Sequence, residues 1–246
     1  MARSFLSVID NLSLQDVESE ADLIPLMTTE DEEALESETL PEIVPILPLK
    51  NTVLFPGVVI PITAGRDKSI KLIKDANSKD KTIGVIAQKN QKIENPGVKD
   101  IFELGTLAQI LRVLKMPDGN TTIIIQGKKR FKVNSIIEEK PYMKASIEAV
   151  EDKIPQKKDR EFNATIDSIK DLALQIINEN PNIPSEATFA IKNIQTPSFL
   201  INFVASNLNV NVIEKQKILS EFSLHKRAIK CLKHMNEEYQ KLALKN

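Results

Sequence analysis

The apolar positions of this chain change their period part-way along, and that change divides it. Residues 46–62 are almost wholly apolar but are broken by Pro48, Pro56 and Pro61. Proline fixes φ and lacks an N–H, so this run is neither one helix nor one central strand. It predicts two short strands, 43–49 and 58–63, joined by a tight loop at Phe55-Pro56-Gly57. Ile70, Leu72, Ile73 and Ala76 give 67–76 one apolar helical side, and 82–88 is a buried strand. Asn95-Pro96-Gly97 is a turn, and 102–115 holds one long strand or two separated at Gly105. Met116-Pro117-Asp118-Gly119-Asn120 has the residues a tight turn needs, so 121–126 pairs back as a hairpin. Residues 131–137 and 142–150 complete the strands. Leu107, Ile110, Leu111, Val113 and Leu114 cannot share one face of a pleated strand, so one face fills a barrel and the other meets the helix or a partner.

Beyond residue 150 the period becomes helical. Residues 151–158 read as a charged, proline-broken linker. Helices fit 160–178, 185–194, 197–208, 211–221 and 223 to the terminus, with Phe189, Phe199, Phe203 and Ile213 in a bundle core. In the last helix Ala228, Leu232, Met235, Tyr239 and Leu242 step by 4, 3, 4 and 3, a coiled-coil spacing that fits either a bundle helix fraying at its end or a helix that continues into further chain. Glycine agrees with the division, because all seven lie between Gly57 and Gly127. The fold class is α+β: a strand-rich part of six strands and one short helix, over 41–152, precedes a helical bundle over 156–246 that ends in a long helix. The two parts are expected to fold as separate units.

Charge adds a third region. Residues 4–49 carry twelve acidic side chains and no Lys or Arg, so within an overall charge of −1 the rest of the chain holds a net +11. The leader, residues 1–40, is by composition a disordered segment, either solvated or docked on the basic body or on a partner. Phe5, Leu6, Ile9, Leu12 and Leu14 offer at most a short amphipathic turn or two. The single Cys231 excludes an internal disulfide, and no apolar run approaches the roughly 20 residues of a membrane span. The first residues make a poor signal peptide, so the expected location is the cytoplasm, with no membrane partner.

Candidate chemistry is scarce. There is no G-x-x-x-x-G-K-[ST] phosphate loop and no G-x-S-x-G elbow, and no residue is assigned a catalytic role. Cys231 and His234 are too few to hold zinc, so no metal site is assigned. Ser69 with Lys71, and Ser78 with Lys79, resemble a Ser-Lys dyad in composition alone. Lys128-Lys129-Arg130 beside Phe131 either contacts nucleic acid or solvates a strand edge. Arg66 either anchors the strand-to-helix corner or binds an anion. The candidate binding residues are apolar groups at loop tips, namely Phe55 and Pro56 in one loop and Leu114, Met116 and Pro117 in another.

Leu47-Pro48-Leu49-Lys50-Asn51-Thr52-Val53-Leu54-Phe55-Pro56-Gly57, followed by Pro61 and Gly65-Arg66-Asp67-Lys68-Ser69, resembles the opening of the N-terminal substrate-binding domain of Lon proteases. The likeness continues through Ile86-Ala87-Gln88-Lys89, Gly105-Thr106, Leu114-Lys115-Met116-Pro117-Asp118-Gly119 and Gln126-Gly127-Lys128-Lys129-Arg130. The resemblance implies a PUA-like β pseudo-barrel followed by helices. It implies a region that captures unfolded, damaged or degron-bearing polypeptides and supports self-association. The parent would be an ATP-dependent serine endopeptidase using ATP and Mg, with its ATPase and Ser-Lys peptidase further along and no cofactor in this part. Two alternatives remain: a free-standing binding protein on the same fold, and a PUA-like RNA-binding module.

Overall fold

The computed structural model describes residues 28–183 and 186–245. The leader residues Phe5, Leu6, Ile9, Leu12 and Leu14 lie outside the described residues, as does Ser185, where the second bundle helix was expected to begin.

Six strands form one sheet: β1 (Ile43–Leu49), β2 (Val59–Ala64), β3 (Thr82–Ala87), β4 (Leu104–Lys115), β5 (Thr121–Glu138) and β6 (Lys144–Ala149). Their order is β2-β5-β4-β3-β1-β6, and β6 pairs again with β5. The long β5 makes this closure possible. Its first half pairs with β2 and its second half with β6, while β4 runs along both. The result is a pseudo-barrel in which β2 has β5 as its one strand neighbour. β1 lies parallel to β3, and the intervening helix, Asp67–Asn77, covers one end of the barrel with Leu72 and Ile73. The long sequence run 102–115 is one strand, but its register shifts between Thr106 and Ala108 and again between Ile110 and Arg112. Bulges of this kind re-aim side chains. They let Leu107 and Ile110 enter two different clusters while Leu111 and Leu114 stay half-exposed.

Numbering helices in chain order, α1 is Thr29–Ser37 and α2 is Asp67–Asn77. The bundle follows as α3 (Arg160–Glu179), α4 (Glu186–Asn193), α5 (Pro197–Asn207), α6 (Val212–Leu219) and α7 (Leu224–Lys245). Local chemistry starts these helices where the sequence indicates. Asp159 accepts from Phe162 N, Thr196 caps α5 ahead of Pro197, and Asn211 accepts from Glu214 N. The heptad-like stripe of α7 turns inward: Ala228 and Met235 are buried, and Leu232, Tyr239 and Leu242 pack on the bundle core. Two aromatic and aliphatic positions expected in that core are not there. Phe189 is 63% exposed and Ile213 is 50% exposed. Phe199 is buried and Phe203 half-buried, as expected.

The strand-rich part has two buried clusters of its own, but a third is shared with the helices. One cluster joins Val53, Phe55, Val58 and Ala87 of the barrel to Phe162, Ile169, Leu200 and Met235 of the helices. The segment expected as a linker is pinned as well: Lys153 N donates to Phe222 O at 2.8 Å, and Leu224 N to Lys153 O at 3.1 Å. The described end of the leader is helical where a disordered segment was expected, because Thr28 and Asp31 close a reciprocal capping box at the start of α1.

Candidate functional site

A cleft of about 1360 Å³ opens between the barrel and the bundle. Its barrel wall is the end of β1 and the whole of β2. Its helical wall comes from α3, α4, α5, α6 and α7, with Ile176, Ile177, Phe203 and Met235 supplying apolar surface. Gln88 is buried on the barrel side, where its amide donates to Asn90 O and Ile93 O and holds the following loop in place. Lys50 and Glu94 pair across the rim at 3.0 Å.

The edge of β2 gives the cleft its binding character. Gly57 N donates to Gly127 O and Gly127 N to Val58 O, both at 2.8 Å, which fixes the strand's phase against β5. Antiparallel pairs alternate between residues that exchange hydrogen bonds and residues that do not. Ile60 and Ile62, opposite Ile125 and Ile123, therefore bond to β5, and Val59, Pro61 and Thr63 point their backbone groups the other way. Pro61 has no N–H, so it fits only where β5 needs no donor from it. Among the described residues no other backbone segment bonds to that outer edge. The cleft thus offers the carbonyls of Val59, Pro61 and Thr63 and the amides of Val59 and Thr63, flanked by apolar side chains.

The loop before β2 is set by a turn. Val58 N donates to Phe55 O at 3.2 Å, and Gly57 sits at φ 81° behind Pro56, the arrangement of a type II turn. Gly127 faces it so closely that a Cβ there would lie 2.2 Å from Phe55 O. Phe55 itself is not an exposed loop aromatic. It is 0% exposed and packs in the shared core, so it cannot meet a ligand. Pro56 is half-exposed. At the other hairpin Leu114 and Met116 are half-buried and Pro117 is exposed. None of these five lines the cleft. They bracket it instead, with Pro56 at the start of β2 and Met116 and Pro117 near its end, where a Cβ on Gly65 would lie 2.8 Å from Asn120 Oδ1. The two loops are separated by six residues of β5, about 20 Å of strand.

Other sequence candidates resolve into structural roles. Lys71 pairs with Asp75 at 3.6 Å, and Ser78 Oγ donates to Asp75 O at 2.9 Å, so neither Ser-Lys pair is a dyad. Cys231 is fully buried against Ile201, and burial pushes its thiol up to about 12. His234 lies 3.8 Å from both Glu214 and Glu237. Among the described residues no group of three or more His, Cys, Asp or Glu could hold a metal. Arg66 is half-buried on the cleft rim, where burial lowers its pKa, and its side chain makes no capping bond to α2.

Arg130 is the largest departure from the sequence reading. It is 2% exposed, and it donates to Leu219 O at 2.7 Å, to Glu221 O at 3.2 Å and to the Asp152 carboxylate. Burial, with Arg227 close by, lowers its pKa to about 10. Lys128 turns toward Glu38 at 3.7 Å. The basic triplet therefore lacks a free guanidinium for phosphate.

The arrangement presents free backbone groups and apolar side chains along one extended edge. Residues 43–237 match the family model described as the substrate-binding domain of ATP-dependent protease La (Lon). The chain belongs to the Lon substrate-binding domain family. Over all 246 of its residues it is 61% identical to the Lon protease of Flavobacterium johnsoniae, of which it covers 30%. It is 46% identical over 224 residues to that of Cytophaga hutchinsonii, covering 91% of this chain and 28% of that protein. This Lon-family chain thus spans less than a third of the length of those relatives. The fold matches the N-terminal domain of a Mycobacterium avium complex Lon protease at a TM-score of 0.64 and 19% identity, over 79% of this chain and 98% of that one. A Lon N-terminal domain protein from Xanthomonas campestris gives a TM-score of 0.56 at 17% identity, over 77% and 96%. No helix among the described residues of the Lon-family chain is long and apolar enough to cross a membrane.

Proposed function

We propose that this chain is the substrate-recognition and assembly region of a cytoplasmic, ATP-dependent Lon-type serine protease. It takes up unfolded, damaged or degron-bearing polypeptide and passes it to ATPase and peptidase regions that lie outside this sequence. ATP and Mg would act there, and so would the contacts that complete self-association. The observation that carries the reading is the edge of β2, unpaired among the described residues, lying along a cleft of mixed polar and apolar lining. An unfolded chain has free backbone amides and exposed apolar side chains. A sheet edge beside the apolar part of that cleft satisfies both without reading sequence, which suits a receptor for many substrates. Pro61 removes one donor from that edge and so weakens any ladder formed on it. Weak pairing favours release to a downstream motor. The hairpin tip extends this surface at the Gly65 end, with Met116 and Pro117 offering adaptable apolar contact.

The test is amide hydrogen exchange with and without an unfolded, uncharged polypeptide. Protection should appear at Val59 and Thr63, whose amides face the cleft, and leave Ile60 and Ile62 unchanged. Protection confined to the helical part away from the cleft would overturn the reading.

A further inference from the structure

Helix α1 is an unusual element. Its nine residues include five acidic side chains and no basic one, Glu38 follows directly, and none of the helix's residues is buried. A single helix of this length is marginal in water and forms where something holds it. Two contacts do so. Leu35 packs against the shared core, and Glu38 faces Lys128 at 3.7 Å. Glu36 approaches Lys129, yet partial burial and the neighbouring Glu32 raise its pKa.

Beneath it is a cavity of about 290 Å³. Glu32, Leu35 and Glu36 form its roof. Pro56, Phe199 and Ile154 give it apolar walls, and Lys128 and Lys129 lie at its rim. Its floor reaches Arg130 and Asp152, which are fixed by the bonds described above. The seat is built from barrel and bundle residues, apolar at the centre, with Lys128 and Lys129 at its edge and Glu151 and Asp152 also in its lining. Its occupant is a short acidic helix with one leucine inward.

We propose that α1 is a displaceable strap, occupying in cis a docking site for acidic, leucine-bearing helical segments of partner polypeptides. Charge complementarity and the leucine seat define the partner class. An incoming segment with the same pattern competes directly with α1, so the chain's own helix sets a threshold that weak or uncharged segments do not pass. The proposal rests on the polypeptide-binding reading only in taking the competitor to be a polypeptide. Neither β2 nor the cleft takes part in it, so its test stands apart from theirs.

The experiment uses the full chain and a fluorescent peptide with the sequence of residues 28–40. Leu35→Asp removes the strap's one apolar contact, and its half-exposed position should leave thermal unfolding unchanged. Peptide anisotropy should show at least tenfold tighter binding to Leu35→Asp than to the parent. That binding should weaken with salt and vanish when Lys128→Glu and Lys129→Glu are added. Equal affinity for parent and Leu35→Asp would overturn the proposal, as would equal binding of a scrambled peptide of the same charge. Amide exchange gives a second readout on the chain alone. Residues 29–38 should exchange far faster than β4 in the parent, and faster still in Leu35→Asp. Exchange as slow as that of β4 would show a fixed helix and overturn the proposal. Dimer formation by the parent through exchanged straps would overturn it in favour of a second copy as occupant.

Discussion

Arg227, at 0% exposure, donates to Asp152 Oδ1 at 2.7 Å and so ties the first turn of the last helix to the end of the barrel. The same oxygen accepts from Arg130. Arg227 also reaches Asn202 Oδ1 at 3.2 Å and Glu221 O at 2.7 Å. One carboxylate is thus shared by two guanidinium groups, one carried by a strand and one by a helix. Removing it leaves two buried positive charges facing each other, and breaking a buried pair this way costs about 3–5 kcal/mol. Asp152→Ala should lower the urea midpoint accordingly, with both parts unfolding in one transition. Two separate transitions in the parent protein would show that the shared core does not couple them.

Phe55 and Met116 separate a packing role from a surface role. Phe55→Ala empties a site in the shared core and should cost about 3–5 kcal/mol of stability. Met116→Asp sits at a hairpin tip and should stay within about 0.5 kcal/mol of the parent. Chemical unfolding of the two variants checks this. A loss of substrate binding in a Phe55 variant would report unfolding and not a lost contact.

Tyr142 gives a pH signature. Its hydroxyl donates to Asp75 Oδ2 at 2.8 Å, and burial together with that bond raises its pKa to about 12. An unfolded tyrosine loses its proton near pH 10, roughly, while the folded one retains it. Between pH 10 and about 12 the folded chain therefore holds the extra proton, and stability should fall as pH rises through that window. Below pH 10 this contribution is complete. Absorbance titration at alkaline pH should show the late tyrosinate step, and Tyr142→Phe should remove it. A Tyr142 that titrates near 10 in the folded protein would contradict the burial described here.

Much of the architecture was legible because period, proline and glycine act locally. Strand β1 ends where the pattern places it, and Asp159, Thr196 and Asn211 mark helix starts through their own side chains. What was not legible depends on contacts distant in sequence. Arg130 reads as a surface cation until α6 and its following loop are seen to cover it. Phe55 reads as a loop aromatic because a Pro-Gly turn signals exposure, whereas the turn's backbone packs on Gly127 and its aromatic ring points into the core. Phe189 and Ile213 satisfy a helical period yet sit on outward faces, since short helices leave the phase of the stripe poorly determined. The loop residues chosen from sequence end up at the two ends of β2. The edge between them carries no side-chain signature, because the groups it presents are those of the backbone.

The central claim is that extended polypeptide docks along β2 in the cleft. It is tested most directly by the affinity of an unfolded, uncharged polypeptide for Ile62→Lys and Ile177→Lys, one on each wall, after thermal unfolding is shown to match the parent. Both variants should bind at least fivefold more weakly at moderate salt, with Met116→Asp showing a smaller loss. Parent-like binding by both cleft variants would contradict the account.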